Sequence, residues 1–82
     1  MKKLLLVLLC LPLIGFGQQT YVPDNNFEQR LINLGYDNVL DDYVNTANIN
    51  TLTSLNVSYN NISDLTGIEA FTALTELDCL GN

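Results

Sequence analysis

Apolar and polar residues recur at a fixed interval in the second half of the chain. At four positions the same or a similar side chain returns after 22 residues: Leu52 with Leu74, Leu55 with Leu77, Val57 with Cys79, and Asn60 with Asn82. A fixed interval of this length is typical of repeat proteins, in which each unit is one short supersecondary element. The pattern predicts one complete unit and a second that is incomplete at Asn82.

Each unit contains a short alternation of inward and outward positions. Leu55 and Val57, and likewise Leu77 and Cys79, are two positions apart, which places their side chains on one face of a strand. We expect these strands to stack in parallel, with Cys79 buried as a small hydrophobic residue. Apolar residues at intervals of three predict a tight helical or extended return between the strands: Leu65, Ile68, Phe71 and Leu74.

The segment before the repeats has a helical pattern. Asn25 followed by Glu28 resembles a capping box, and Gly35 stands where a C-terminal cap belongs. Phe27, Leu31 and Leu34 recur at helical spacing between them. The sequence predicts one helix, residues 25–34, whose apolar side covers the first repeat.

The residues on either side of this helix give weaker signals. Pro23 fixes an extended entry, so Tyr21 and Val22 are expected to lie like a lid over the segment that the helix covers. After the helix, acids and amides are mixed with apolar residues, which suits either a short second helix or an irregular turn docked by its apolar side chains: Val39, Leu40, Tyr43 and Val44.

Residues 1–17 have the pattern of a secretory signal peptide. Two lysines precede an apolar run that ends at the small residues around Phe16. The run is too short for a membrane span, and it contains Pro12. We expect export, loss of Cys10 with the signal, and no span in the mature chain.

The asparagines that close each unit are expected to be structural. Asn60 and Asn82 lie where the chain leaves its strand, and an inward amide there can both donate to and accept from backbone groups of the turn.

The segment Leu52 to Ile62 resembles the L-x-x-L-x-L-x-x-N-x-I signature of leucine-rich repeats, and the Ile62-Ser-Asp-Leu65 continuation resembles the internalin-like subclass. The whole chain is similar to the N-terminal ends of secreted leucine-rich-repeat proteins of Bacteroidota. The similarity lies in the order of a signal, a Val-Pro-Asp-x-Asn-Phe-Glu motif at residues 22–28, a Gly-Tyr-Asp-x-Val-Leu-Asp segment at residues 35–41, and then the repeats. The resemblance implies an α/β leucine-rich-repeat solenoid, truncated, with short parallel strands on its concave face. It divides the chain into a signal peptide (1–17), an N-terminal helical cap (18–46) and repeats (47–82).

Charge and residue types exclude several classes of function. The full chain has three bases and nine acids, a formal charge of −6, and removing Lys2 and Lys3 with the signal leaves Arg30 and a charge of −8. Nucleic acid is therefore not an expected partner. The chain has no histidine and no nucleophile motif, so we expect neither an enzyme nor a cofactor.

The acids Asp37, Asp41 and Asp42 raise the alternative of a calcium loop. Calcium prefers clustered oxygen ligands, but the glycine and glutamate that an EF-hand loop requires are missing. We therefore expect no metal. Cys79 also lacks a histidine or second mature cysteine with which to bind zinc.

Stacked parallel strands present their outward residues on a concave face that usually holds a partner in repeat proteins. The sequence predicts a ligand surface made of six residues: Ser54, Asn56, Ser58, Glu76, Asp78 and Leu80. A polar, shallow surface suits a protein or glycan better than a buried small molecule. The alternative is a non-catalytic spacer, or an appendage of a larger secreted hydrolase or adhesin.

Overall fold

A computed structural model describes residues 18–82. The signal peptide predicted over residues 1–17, with Cys10, lies outside the described residues. The described part contains one helix, four three-residue strands and two 3₁₀ turns. Their bounds are β1 Gln19–Tyr21, α1 Asn25–Asn33, β2 Tyr43–Asn45, a first 3₁₀ turn Thr46–Asn48, β3 Ser54–Asn56, a second 3₁₀ turn Ile68–Ala70, and β4 Glu76–Asp78.

Helix α1 confirms the predicted helix but not its predicted cap. The N-cap is Asp24, whose Oδ1 accepts from the backbone N–H groups of Asn26 at 2.9 Å and Phe27 at 3.0 Å. The predicted capping box between Asn25 and Glu28 is wrong, because the N-cap lies one residue earlier. The Asp24 side chain already accepts from the backbone N–H groups that open the helix. Glu28 is free to turn inward, and it is fully buried.

The residues flanking α1 form a sheet that the local pattern did not reveal. Strand β1 pairs antiparallel with β2, with Thr20 opposite Val44, and the Tyr21 and Tyr43 rings lie 5.5 Å apart. Residues 19–21 are therefore a paired strand. Of the two residues expected to lie against the segment that the helix covers, Val22 is buried in the core with Phe27 and Leu31, whereas Tyr21 is exposed. The short second helix expected as one alternative after α1 is wrong, because Tyr43–Asn45 completes this pair. An irregular loop fills the stretch between α1 and β2, but of the four apolar residues expected to dock it only Val44 is buried.

Strands β3 and β4 form a second, parallel sheet. Ser54 pairs with Glu76, Leu55 with Leu77 and Asn56 with Asp78, so the register equals the interval at which the sequence repeats. Leu55 and Val57 are buried as the alternation predicts. The return between the strands includes the second 3₁₀ turn, and Phe71 after it is buried.

A single apolar cluster joins the N-terminal segment to the repeats. Phe27 of α1 stacks on Phe71 of the second repeat, with ring centroids 6.1 Å apart. The buried members of the cluster come from α1, from the segments around it and from the first repeat with its return, but not from β4: Val22, Phe27, Leu31, Val44, Ile49, Leu55, Val57, Ile62 and Phe71. Leu34 packs against this cluster from its edge. Helix α1 therefore shares one core with the first repeat.

The β4 side of the molecule differs from the expectation of a buried cysteine. Cys79 is exposed, Leu77 is 40% exposed, and Leu80 is 65% exposed. These side chains flank the outermost strand of the described residues, where no further element packs over them. Between residues 18 and 82, no helix is long and apolar enough to cross a membrane.

Gly67 of the repeat lies directly against β1 and the residue that follows it. Its φ is +106°, and a Cβ there would lie 2.7 Å from the Tyr21 carbonyl oxygen and 2.9 Å from the Val22 Cγ2. We expect Gly67→Ala to lower the free energy of unfolding by about 2 kcal/mol, from backbone strain and the clash. Gly35→Ala is the matched control, because Gly35 also has positive φ but open space around it; urea unfolding should show about half the effect. Equal losses would mean that the close approach to β1 is unimportant.

Candidate binding surface of the parallel sheet

The outer face of the β3–β4 sheet carries four of the six predicted ligand residues. Ser54 and Asn56 point outward from β3, and Glu76 and Asp78 lie beside them on β4, all exposed. An open depression of about 590 Å³ lies over this face. The alternation of strand side chains explains the arrangement, since the residues between the inward positions must face solvent.

The other two predicted residues lie just beyond the strands. Ser58 is half-buried, and both its backbone N–H and its hydroxyl bond to the Asn56 Oδ1, at 3.0 and 2.6 Å. Leu80 is exposed, and its N–H donates to the Asp78 Oδ1 at 3.2 Å. The same turn is therefore built twice, once in each repeat. Ser58 and Leu80 border the outer face, while Asn56 and Asp78 each use one oxygen to hold the turn.

Charge is unevenly distributed across this face. Glu76 and Asp78 make the β4 side acidic, whereas β3 presents neutral side chains. On the other side, the Arg30 Nε of α1 donates to the Asn56 carbonyl oxygen at 2.9 Å. The sheet thus runs from a basic edge at α1 to an acidic edge at β4.

The two repeat asparagines hold the turns that follow the strands. The Asn82 Oδ1 accepts from the N–H groups of Asn60 at 2.9 Å and Ile62 at 3.0 Å, and its Nδ2 donates to the carbonyl oxygens of Val57 and Cys79. One amide therefore ties the second turn to the first. Asn60 makes a local bond instead, from its Nδ2 to the Ser58 carbonyl oxygen at 2.7 Å.

Asp24 has a second role that sequence reasoning missed. While Oδ1 caps the helix, Oδ2 accepts from the Ser63 N–H at 3.0 Å, the Ser63 hydroxyl at 3.2 Å and the Asp64 N–H at 3.0 Å. Burial on its own would raise the pKa of this carboxyl, but the hydrogen bonds from Phe27, Ser63 and Asp64 outweigh it and lower the pKa below 3.8. The contacts join distant parts of the chain, so no local pattern revealed them.

Glu28 is the second residue that sequence reasoning missed. Its carboxylate accepts from the N–H groups of Asp41 at 3.1 Å and Asp42 at 2.8 Å. Burial, together with the Asp37 carboxyl beside it, raises the pKa of Glu28 from 4.5 to about 7. The only local signal for Glu28 is its spacing from Asn25, and this spacing fits a capping box as well as an inward carboxylate.

The acids of the calcium hypothesis meet only in part. Carboxylate oxygens of Glu28, Asp37 and Asp41 lie within 4.8 Å of one another, whereas the Asp42 carboxylate is outside this group. A group of acids does not by itself define a metal site, and the absence of a metal stays a prediction. The predicted absence of a cofactor stays one as well.

A leucine-rich repeat is defined by three features that the described residues share. Two parallel strands are offset by one period, their side chains alternate between inward apolar and outward polar, and an asparagine bonds consecutive turns. The chain is similar to internalin J of Listeria monocytogenes serotype 4b (strain F2365), with 36% identity over 62 residues. That match covers 76% of this chain and 7% of the relative. No protein-family model matches the chain.

A solved structure supports the same class. The chain is similar to the functional domain of InlJ from Listeria monocytogenes, which includes a cysteine ladder, with 34% identity and a TM-score of 0.64. The match covers 80% of this chain and 15% of the solved chain. These findings support homology to a leucine-rich-repeat protein and are consistent with a binding module. The Bacteroidota resemblance stays a prediction.

Proposed function

We propose that the outer face of the β3–β4 sheet binds a protein ligand and that the chain is the N-terminal part of an exported leucine-rich-repeat protein. The observation that carries this is the row of exposed polar side chains, Ser54, Asn56, Glu76 and Asp78, on a sheet whose other face is the core. The backbone of this sheet is fixed by its ladder and by Asn82, so the face is preorganised, which lowers the entropic cost of binding.

The charge of the face favours one kind of partner. The acidic side chains at β4 attract basic groups, while Arg30 at the other edge is paired with a carbonyl oxygen of β3. Complementary charge mainly sets specificity and the rate of association. A protein surface that places a lysine or arginine over β4 would match it, and a glycan without cationic groups would not use this feature.

The solenoid is part of the same proposal. A third repeat seated against β4 would cover Leu77 and Cys79, which are exposed in the described chain, and would extend the binding face. The signal peptide predicted over residues 1–17 supports export. The proposal also includes localisation at the cell surface and a role in binding for each of the six predicted ligand residues. It further divides the chain into a cap, residues 18–46, and repeats, residues 47–82.

Site-specific photo-crosslinking in the native host tests the function. A photoreactive residue at Asn56 or Glu76 of the full-length protein should give a covalent adduct with one extracellular protein, identified by mass spectrometry. The same residue at Gln29, which is exposed on α1, should not. Glu76→Arg should weaken capture at Asn56 by about fivefold, since an exposed charge contact contributes up to about 1 kcal/mol.

Two results would contradict the proposal. Equal adducts at Gln29 and Asn56 would show that the outer face is not selective. Absence of adducts at both Asn56 and Glu76, with correct folding and export, would favour the spacer or appendage alternative.

A further inference from the structure

Two carboxyl groups meet beside the loop that leads from α1 to β2. Glu28 is fully buried, and its carboxylate lies within 4.8 Å of the Asp37 carboxylate. Both Glu28 oxygens are already used, because Oε2 accepts from the Asp41 N–H and Oε1 from the Asp42 N–H. Glu28 thus fastens the far end of this loop to the helix.

Only one of the two carboxylate oxygens of Asp37 has a hydrogen-bond partner among the described residues. Its Oδ1 accepts from the Asn38 N–H at 2.8 Å, whereas its Oδ2 is buried and has no hydrogen-bond partner among the described residues. Two ionised carboxylates so close together repel each other, and a buried oxygen without a partner is costly. A single hydrogen placed between the two carboxyl groups removes both problems.

We propose that Glu28 and Asp37 share one proton and that this proton keeps the loop of residues 37–42 closed against helix α1. With it, the Asp37 Oδ2 gains a partner and the pair carries one negative charge, which the two backbone N–H groups stabilise. Without it, repulsion favours release of Asp37 and the loop toward solvent. The loop is then a pH-sensitive clamp next to β1 and β2.

Among residues 18–82, no positively charged side chain lies beside the pair to replace the proton. The nearest further acid is Asp41, and Tyr36 and Tyr43 line the open cleft beside Asp37 and Asp41. Arg30, the one base between residues 18 and 82, donates to the Asn56 carbonyl oxygen instead. On the other side α1 packs against the apolar cluster, whose buried members carry no titratable group and whose edge adds only the Tyr36 hydroxyl.

Backbone geometry at the end of the loop supports the role of a clamp. Asp42 has a φ of +70°, in the left-handed region that few non-glycine residues adopt and in which aspartate is one of the more frequent. Two contacts hold it here: its N–H donates to Glu28, and its carbonyl oxygen accepts from the Val22 N–H at 2.8 Å. Releasing Glu28 would remove one of them.

The direction of the pH effect follows from the raised pKa of Glu28. The folded pKa of about 7 exceeds the ordinary 4.5, so the closed loop binds the proton more tightly than the open chain does. Closure is therefore fully favoured below pH 4.5 and is lost as the pH rises through 7.

Hydrogen exchange in the full chain, with EDTA present, tests the clamp. The protection factors of the Asp41 and Asp42 amides should fall by about tenfold or more between pH 5.5 and pH 8.5. Asp37→Asn should abolish this fall, because an amide donates to Glu28 at every pH. Glu69→Gln, a change at an exposed acid, should leave the wild-type profile intact.

Three results would overturn the proposal. One is a profile of Asp37→Asn that is parallel to the wild type. Another is recovery of protection at pH 8.5 on adding calcium, which would assign the group to a cation rather than a proton. The third needs no variant: in a carbon-detected NMR titration of the wild type, the Glu28 carboxyl would titrate below pH 5, whereas the proposal requires its midpoint near 7.

Discussion

Replacing Leu31 by aspartate should unfold the protein. Leu31 is fully buried in α1, within the cluster that joins the helix to the repeats. The substitution removes a buried leucine, at about 2 to 5 kcal/mol, and adds a carboxylate that has to be desolvated. A described chain as short as residues 18–82 has a total stability of about 3 to 10 kcal/mol. The expected loss of more than about 4 kcal/mol exceeds the lower end of this range and removes a large share of the upper end.

Circular dichroism and urea unfolding measure this effect. Gln29→Asp is the matched control, because Gln29 is exposed on the same helix and the same side chain there should change the stability by less than about 0.5 kcal/mol. If Leu31→Asp melted at the wild-type temperature, α1 would not cover the core of the repeats.

Replacing Asp24 by alanine should cost about 3 kcal/mol, the second largest effect that we expect, because two contributions are lost together. The change removes an N-cap, worth about 1 kcal/mol, together with the charge-assisted hydrogen bonds to Ser63 and Asp64, worth about 2 kcal/mol more. Asp24→Asn separates the two parts. An asparagine can still cap with its oxygen, but its amide nitrogen cannot accept from Ser63, so urea unfolding should show an intermediate loss.

The pH dependence of stability gives an independent measure of Asp24. Its folded pKa lies below the ordinary 3.8, so its contribution is present above about pH 4 and is lost as the pH falls through the folded value. Wild-type protein should therefore lose stability in acid more steeply than Asp24→Asn. Parallel acid profiles would mean that the Oδ2 contacts contribute nothing.

The repeat itself was predictable because its information is periodic. Leu55 and Leu77 occupy equivalent positions one period apart, and stacking equivalent positions gives the parallel register that the structure has. Burial of Leu55 and Val57 and exposure of Ser54 and Asn56 followed from the alternation along a strand. The face proposed for binding was therefore accessible from the sequence before any coordinates.

Contacts between distant segments were not predictable in this way. Residues 19–21 pair with residues 43–45, and neither segment has a pattern that specifies its partner. The roles of Asp24 and Glu28 were not predictable for the same reason. Local spacing predicts a helix cap made by Asn25 and Glu28. In the structure, Asp24 accepts from backbone N–H groups of residues 63–64, and Glu28 accepts from those of residues 41–42. The exposure of Cys79 depends on what packs over β4, which its spacing from Leu77 does not show.

The bonds of Asn82 set an order in which the turns can be completed. The N–H groups of Asn60 and Ile62 donate to an oxygen that belongs to a later part of the chain. A chain that emerges from the ribosome N-terminus first would therefore leave the first turn unfinished until Asn82 has appeared. The earlier edge has no such delay, because α1 supplies its contacts in advance, from Asn26 to the Asn61 carbonyl oxygen and from Arg30 to that of Asn56. Completion of the first turn would thus wait for the asparagine of the unit that follows it.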